Sequence, residues 1–193
     1  KEKIDYGQAL SEVGNLFEII KTGTERTTEI IKGLRSFSRM DEDILKVADI
    51  HENLNTALIL LRNKYKDRIT IEKEYGAIPQ IECYPGQLNQ VFMNILTNAI
   101  DAIDKKGKVI IRTSKSKQMV QISIRDTGIG IPEEIRTKIF EPFFTTKEVG
   151  QGTGLGLSIS HGIIEKHMGR IDVNSVVGKG SEFIISLPIK QTQ

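Results

Sequence analysis

The sequence predicts an α/β fold of two layers, a mixed and mostly antiparallel sheet covered by helices, behind a long coiled-coil-like helix. Three observations carry this. Segments with helix and strand periods follow in the order helix, strand, helix, hairpin, short helix, loop, helix, hairpin. Strand pairs joined by short turns are antiparallel neighbours, and too few crossover helices remain for a doubly wound parallel sheet. Residues 5–40 carry an apolar seam that no proline interrupts.

The chain of 193 residues suffices for one packed core and an appendage. Its 38% hydrophobic and 27% charged residues fit a soluble globular protein. A net charge of +2 makes no case for nucleic acid as a partner. The single cysteine, Cys83, excludes an internal disulfide and disfavours a thiolate metal cluster. It reads as a buried small residue or a passive surface thiol. No run approaches a membrane span, and no signal peptide is visible. The opening KEKIDYGQ, without an initiator Met, is read as part of a longer protein.

In the first helix Leu10, Val13, Phe17, Ile20, Thr24, Thr27, Ile31 and Leu34 alternate by three and four. At ~1.5 Å per residue it would run roughly 50 Å. Alone it cannot bury that stripe, so a partner helix is expected from upstream or from another subunit. MDEDILKVADIHE (40–52) is polar and acidic and reads as a hinge. A helix over about His51 to Lys66 follows, with Leu54, Ala57, Leu58 and Leu61 on one face and Asp49 as its cap. ITIEKEY (69–75) alternates as a strand, and IECY (81–84) is a short strand or an extended entry to the next helix. Pro85 suits a first helical turn.

Leu88 to Asp104 reads as one amphipathic helix. Val91, Ile95, Ile100 and Ile103 suit the core, and Phe92, Leu96 and Ala99 widen that face. Residues 108–115 and 118–127 form a hairpin with Val120, Ile122 and Ile124 on one face. A short helical segment spans 133–140, an aperiodic loop 141–153, and a helix Leu155 to His167. Strands at 169–176 and 181–189 flank the turn VGKG.

Four places carry chemistry. Asn94 and Asn98 lie one turn apart, and carboxamides in an apolar helix are costly unless paired. They either make helix–helix hydrogen bonds or face a ligand or hard cation such as Mg²⁺. Asp126, with Gly128 and Gly130, ends a buried strand; it is an Asx turn or a carboxylate that accepts from an exocyclic amine such as adenine's. Gly150, Gly152, Gly154 and Gly156 run straight into a helix, as a hinge or a phosphate cradle of backbone N–H groups. This run has neither the Walker A ending nor a dinucleotide fingerprint. Between them, Phe143 and Phe144 are lid anchors or pins to the core, and Lys147 is a phosphate contact or solvated surface.

Together NILTN (94–98), DTGIG (126–130), EPFFTTK (141–147) and GTGLG (152–156) resemble the ATP-binding catalytic domain of sensor histidine kinases, in the superfamily shared with gyrase-type and Hsp90-type ATPases. The resemblance covers about residues 47–190 and implies a Bergerat-type fold. It implies ATP and Mg²⁺ as cofactors. Asn98 would be the main Mg²⁺ ligand, with Asn94 its companion at metal or phosphate and Lys147 as a further catalytic contact. Asp126 would bind the adenine amino group. Asp101, Gly128, Gly130, Phe143, Phe144, Thr146, Gly152, Thr153, Gly154, Leu155, Gly156 and Ser181 complete the implied nucleotide set, with a lid over roughly 136–153. Asp101 stands where many members carry a basic residue, a charge that Lys105 or Lys106 would supply instead.

TERTTEIIKGLRSFSR (24–39) is similar to the second helix of the family's dimerisation and histidine-phosphotransfer domain, as in multidomain kinases of the cyanobacterial type. The implied division is a partial stalk at 1–46 and a catalytic domain at 47–193. The acceptor histidine belongs on a first helix that the sequence does not contain. His51, although followed by Glu52, lies past the long helix and is not that acceptor; His161 and His167 read as surface or interface residues.

The implied function is transfer of the ATP γ-phosphoryl to a dimerisation-domain histidine, then relay to a response-regulator receiver, without self-phosphorylation by this segment. The implied partners are that helix, from the same or another subunit of a homodimer, and the receiver. A cytoplasmic location follows, with or without a membrane anchor on the parent protein. A conformational ATPase would want a catalytic Glu a turn or less before Asn98, where Asn94 stands. An inactive ATP-binding scaffold is the remaining alternative.

Overall fold

The computed structural model describes residues 44–147 and 154–191, together with Leu16, Phe17 and Ile20. Apart from those three, the helix expected over 5–40 lies outside the described residues, as do Gly150, Gly152 and Thr153. The elements are β1 (Lys46–Ala48), α1 (Ile50–Tyr65), β2 (Ile69–Tyr75), β3 (Ile81–Cys83), α2 (Pro85–Asp101), β4 (Gly107–Ser116), β5 (Met119–Asp126), α3 (Glu133–Arg136) with a 3₁₀ turn at Lys138–Phe140, α4 (Gly156–Lys166), β6 (Arg170–Val176) and β7 (Gly180–Pro188).

Local chemistry sets the helix starts. The Asp49 carboxylate accepts the His51 N–H at 2.7 Å and caps α1. Pro85 opens α2, where its missing N–H costs nothing. The far end of α2 is satisfied by Arg68, whose guanidinium donates to the carbonyls of Ile100 (3.2 Å), Ile103 and Asp104 (3.3 Å). A cation there also complements the negative end of the helix dipole.

The main sheet has the order β2-β4-β5-β7-β6. β2 and β4 are parallel, and the other neighbours are antiparallel. Parallel neighbours need a crossover, which β3 and α2 provide, so the asparagine helix lies along one face of the sheet. Two places differ from expectation. The stretch read as a polar hinge contains β1, which pairs with β3 in register Val47↔Glu82. Three residues are too few to show a period, and the strand exists only through its distant partner. His167, expected at a surface or interface, is fully buried. Its Nδ1–H donates to Ile163 O at 2.7 Å, and its Nε2 accepts the Tyr84 N–H at 3.0 Å. Both ring nitrogens are thus used inside the fold, joining the end of α4 to the start of α2.

The core lies between sheet and helices. Leu54 and Leu58 of α1, Phe92, Ile95 and Leu96 of α2 and Ile164 of α4 meet Val109 and Ile111 of β4, Val120, Ile122 and Ile124 of β5, and Phe183, Ile185 and Leu187 of β7. β5 alternates inward at Val120, Ile122 and Ile124, so the next inward position is Asp126. The period that builds the core therefore delivers a carboxylate to its edge. Cys83 is buried, and burial pushes its thiol up to about 12, out of reach of thiolate chemistry.

Candidate nucleotide site

At the end of β5, Asp126 is only 2% exposed. Its Oδ1 accepts the N–H of Gly128 at 2.7 Å and of Ser181 at 3.3 Å. Burial raises its pKa above the usual carboxylate value, and the hydrogen bonds from Gly128 and Ser181 partly counter this. The backbone crowds this acid. At Gly180, φ is +95° and an added Cβ would stand 2.0 Å from Asp126 O, so only glycine fits. At Gly128 a Cβ would stand 2.4 Å from Ala102 O, just past α2, and at Gly130 2.3 Å from Val176 O.

Ser181 Oγ lies 3.0 Å from Ser175 Oγ. Ser175 accepts the Ile131 N–H at 2.7 Å and donates to Gly180 O at 3.0 Å. This buried serine ties the Asp-Thr-Gly-Ile-Gly turn to the β6–β7 turn, and sequence reasoning did not single it out. The signal was there: on β6 the alternation Ile171, Val173, Ser175 puts a hydroxyl in a core-facing slot.

On α2, Asn94 and Asn98 are both half-buried beside the apolar face. The Asn94 NH₂ donates to Gly156 O at 3.0 Å and Ser160 Oγ at 3.2 Å. It thereby makes the helix–helix bonds of the plainer reading, while also fixing the start of α4 against α2. The Asn98 side chain has no hydrogen-bond partner among the described residues. A half-buried carboxamide oxygen without a protein donor suits a hard, oxygen-ligated cation. Among the described residues no group of three His, Cys, Asp or Glu side chains gathers into an alternative metal site.

Asp101, the last residue of α2, accepts from Lys147 Nζ at 2.6 Å and lies 3.9 Å from Lys64 Nζ. The loop carrying Lys147 is anchored at its base. An added Cβ on Gly154 (φ +67°) would come 2.4 Å from the carbonyl carbon of Phe143, so the ends of the 143–154 stretch meet. The two aromatics divide their roles: Phe144 packs on the core, whereas Phe143 (φ +66°) is 75% exposed. Thr146 is exposed. Leu155 and Gly156 open α4 at the positive end of its dipole. Its first amides therefore point where an anion is favoured.

The family model of histidine kinase-, DNA gyrase B-, and HSP90-like ATPases matches residues 83–191, from β3 past β7. The chain belongs to this family. It is an ATP-binding catalytic domain of the histidine kinase type. The sensor histidine kinase ZraS of Escherichia coli (strain K12) is 34% identical over 185 residues, which cover 94% of this chain and 39% of ZraS. Sporulation kinase C of Bacillus subtilis (strain 168) is 36% identical over 177 residues, 90% of this chain and 41% of that kinase. The chain thus spans about two fifths of each of these relatives.

Among solved structures, the nucleotide-free catalytic domain of histidine kinase ThkA superposes with a TM-score of 0.70 at 34% identity, over 77% of this chain and 97% of that one. Full-length ShkA in complex with AMPPNP gives 0.69 at 26% identity, over 99% of this chain and 41% of that one. The mixed, mostly antiparallel sheet under helices is the architecture of this histidine kinase domain. None of its described helices is long and apolar enough to cross a membrane.

Proposed function

We propose that this chain binds Mg-ATP between Asp126 and Asn98 and presents the γ-phosphoryl to a histidine on a dimerisation helix. The observation that carries the reading is the pairing of opposites across one site beside the last turns of α2. One end holds a buried acid whose backbone donors leave it acceptor capacity for an adenine amino group. The other end holds a carboxamide without a hydrogen-bond partner among the described residues, and two lysine ammoniums.

In this reading Asp126 accepts from adenine, and Gly128, Gly130 and Ser181 shape the pocket around the base. Asn98, with Asn94 as its companion, would hold Mg²⁺, which would supply positive charge to the phosphate oxygens. Lys147 and the amides at Gly154, Leu155 and Gly156 receive the phosphates. Phe143, Phe144 and Thr146 complete the enclosure, and Gly152 and Thr153, outside the described residues, are assigned to the nucleotide by their motif alone. A histidine nitrogen then bonds to the γ-phosphorus as the bridging P–O bond breaks, and ADP leaves with the electron pair. The protein's contribution is alignment more than covalent chemistry.

The acceptor comes from another segment. His51 Nε2 is bonded to Thr113 Oγ1 at 2.8 Å, and its ring stacks on Tyr75 at 4.3 Å. His167 is enclosed. His161 pairs with Glu165 at 3.4 Å, one turn away on α4. Residues 1–46 are read as the second helix of a dimerising stalk and 47–193 as the catalytic domain. The parent is a cytoplasmic-side homodimer that passes its phosphoryl to a response-regulator receiver.

Labelled ATP incubated with this chain and a separate acceptor hairpin tests the reading. Acid-labile, base-stable label on the hairpin, absent with Asn98→Ala and absent without the hairpin, is the expected result. Release of free phosphate alone would instead make the domain a conformational ATPase.

A further inference from the structure

Asp101 breaks a local rule. It is the last residue of α2, where the negative end of the helix dipole disfavours an acid, and no basic residue occupies that last turn. The carbonyls there are already served by Arg68, so Asp101 caps nothing. What it does is gather cations. Lys147 arrives from the loop at 2.6 Å and Lys64 from α1 at 3.9 Å, with their side chains 35% and 53% exposed. One carboxylate between two ammoniums leaves a net positive charge. That charge sits three residues, hence one turn, beyond Asn98 on the same side of the helix.

We propose that Asp101 is a positioning residue that holds Lys64 and Lys147 as a paired anion receptor for the nucleotide's polyphosphate, with Lys64 a phosphate-facing residue contributed by α1. The inference rests on the nucleotide reading above. A free lysine side chain carries a large rotamer entropy, and a carboxylate that fixes it beforehand removes part of that cost at binding. The pairs are partly solvated, so each makes a modest contribution. The receptor engages phosphates and ignores the base, so its signature is the ratio of ATP to AMP affinity.

The test is calorimetry of the whole chain with Mg-ATP and with AMP, for the unchanged protein and for Lys64→Gln, Asp101→Asn, Lys147→Gln, the Lys64→Gln/Lys147→Gln double and the triple substitution. Lys64→Gln and Asp101→Asn should each weaken ATP binding about two- to fivefold and leave AMP binding unchanged. Asp101→Asn should add nothing once both lysines are gone, because it acts through them. Its effect should shrink as salt rises. Unchanged or tighter ATP binding by Asp101→Asn would make the acid a competitor for Lys147 and overturn the proposal. Unchanged ATP binding by Lys64→Gln, or equal losses for ATP and AMP, would overturn it too. Failure of the unchanged chain to bind any nucleotide would instead remove the nucleotide reading itself, so the two failures are separable.

Discussion

The two ends of the candidate nucleotide site, both beside the last turns of α2, are built on opposite terms. At the strand end, Asp126, Ser175 and Ser181 are buried at 2%, 8% and 5% exposure, and they are locked to one another and to backbone amides. At the other, Asn98 has no protein partner among the described residues, and Asp101, Lys64 and Lys147 meet in partial solvent. Recognising a flat, uncharged base needs a rigid acceptor in a preformed slot. Receiving a charged chain that must later leave in pieces suits groups that exchange partners at low cost. Substitutions at the first end should therefore read out in stability or all-or-none binding, and at the second in graded affinity.

The largest effect is expected at Gly180. Gly180→Ala adds a Cβ within 2.0 Å of Asp126 O at a φ of +95°. Denaturant titration should show a loss of about 2–4 kcal/mol together with loss of nucleotide binding. A change below about 1 kcal/mol would show that the first end yields, and the contrast would fail.

Asp126→Asn should separate stability from function. The raised pKa means that the fold prefers the protonated acid. The stabilisation is present at low pH and lost as pH rises through the folded pKa, so the charge opposes folding at neutral pH. Asparagine keeps an acceptor for Gly128 and Ser181 without the charge. Its melting temperature at pH 7.5 should equal or exceed that of the unchanged chain, and it should be less sensitive to pH between 4 and 7.

His167 supplies a pH test far from both ends. Burial lowers its pKa, with Lys166 adding to that, while the Ile163 carbonyl partly opposes it. The neutral ring is the folded form, so stability is full above the unfolded value and falls as pH drops below it toward the folded pKa. The slope should approach, and not exceed, about 1.4 kcal/mol per pH unit from this residue. Urea unfolding at pH 7.5 and 5.5 should show that drop, and His167→Gln should reduce it. An undiminished drop would place its origin elsewhere.

The smallest effect marks the exposed side of α4. Nothing lies within 4 Å of an added Cβ at Gly162, which has solvent around it in mid-helix. Gly162→Ala should gain about 0.5–1 kcal/mol and leave ATP affinity unchanged.

Much of this was legible in the residues. The 3.6-residue period marked the buried face of α2, and the two-residue period marked β2 and β5, because α2 and β5 bury one face along their length and β2 turns Ile69, Ile71 and Tyr75 toward the core. Asp126 and the glycines stood out because short-range geometry demands them. What escaped depends on distant neighbours. β1 exists through β3, and His167 is enclosed because the Tyr84 amide, 83 residues away in sequence, comes to meet it. The double use of Asn94 needed α4 in place before it was visible. Ser175 was hidden for a different reason: a serine in a strand looks exposed until the slot it occupies is counted.

The central claim, that Asp126 and Asn98 mark the two ends of one nucleotide site, is met most directly by titrating Mg-ATP into the folded chain and into Asp126→Asn in a calorimeter. One saturable site, weakened about 100-fold or more in the variant through loss of a charge-assisted bond to the base, is the predicted result. Equal affinity in the two proteins, or no heat from a chain that melts cooperatively, would contradict it.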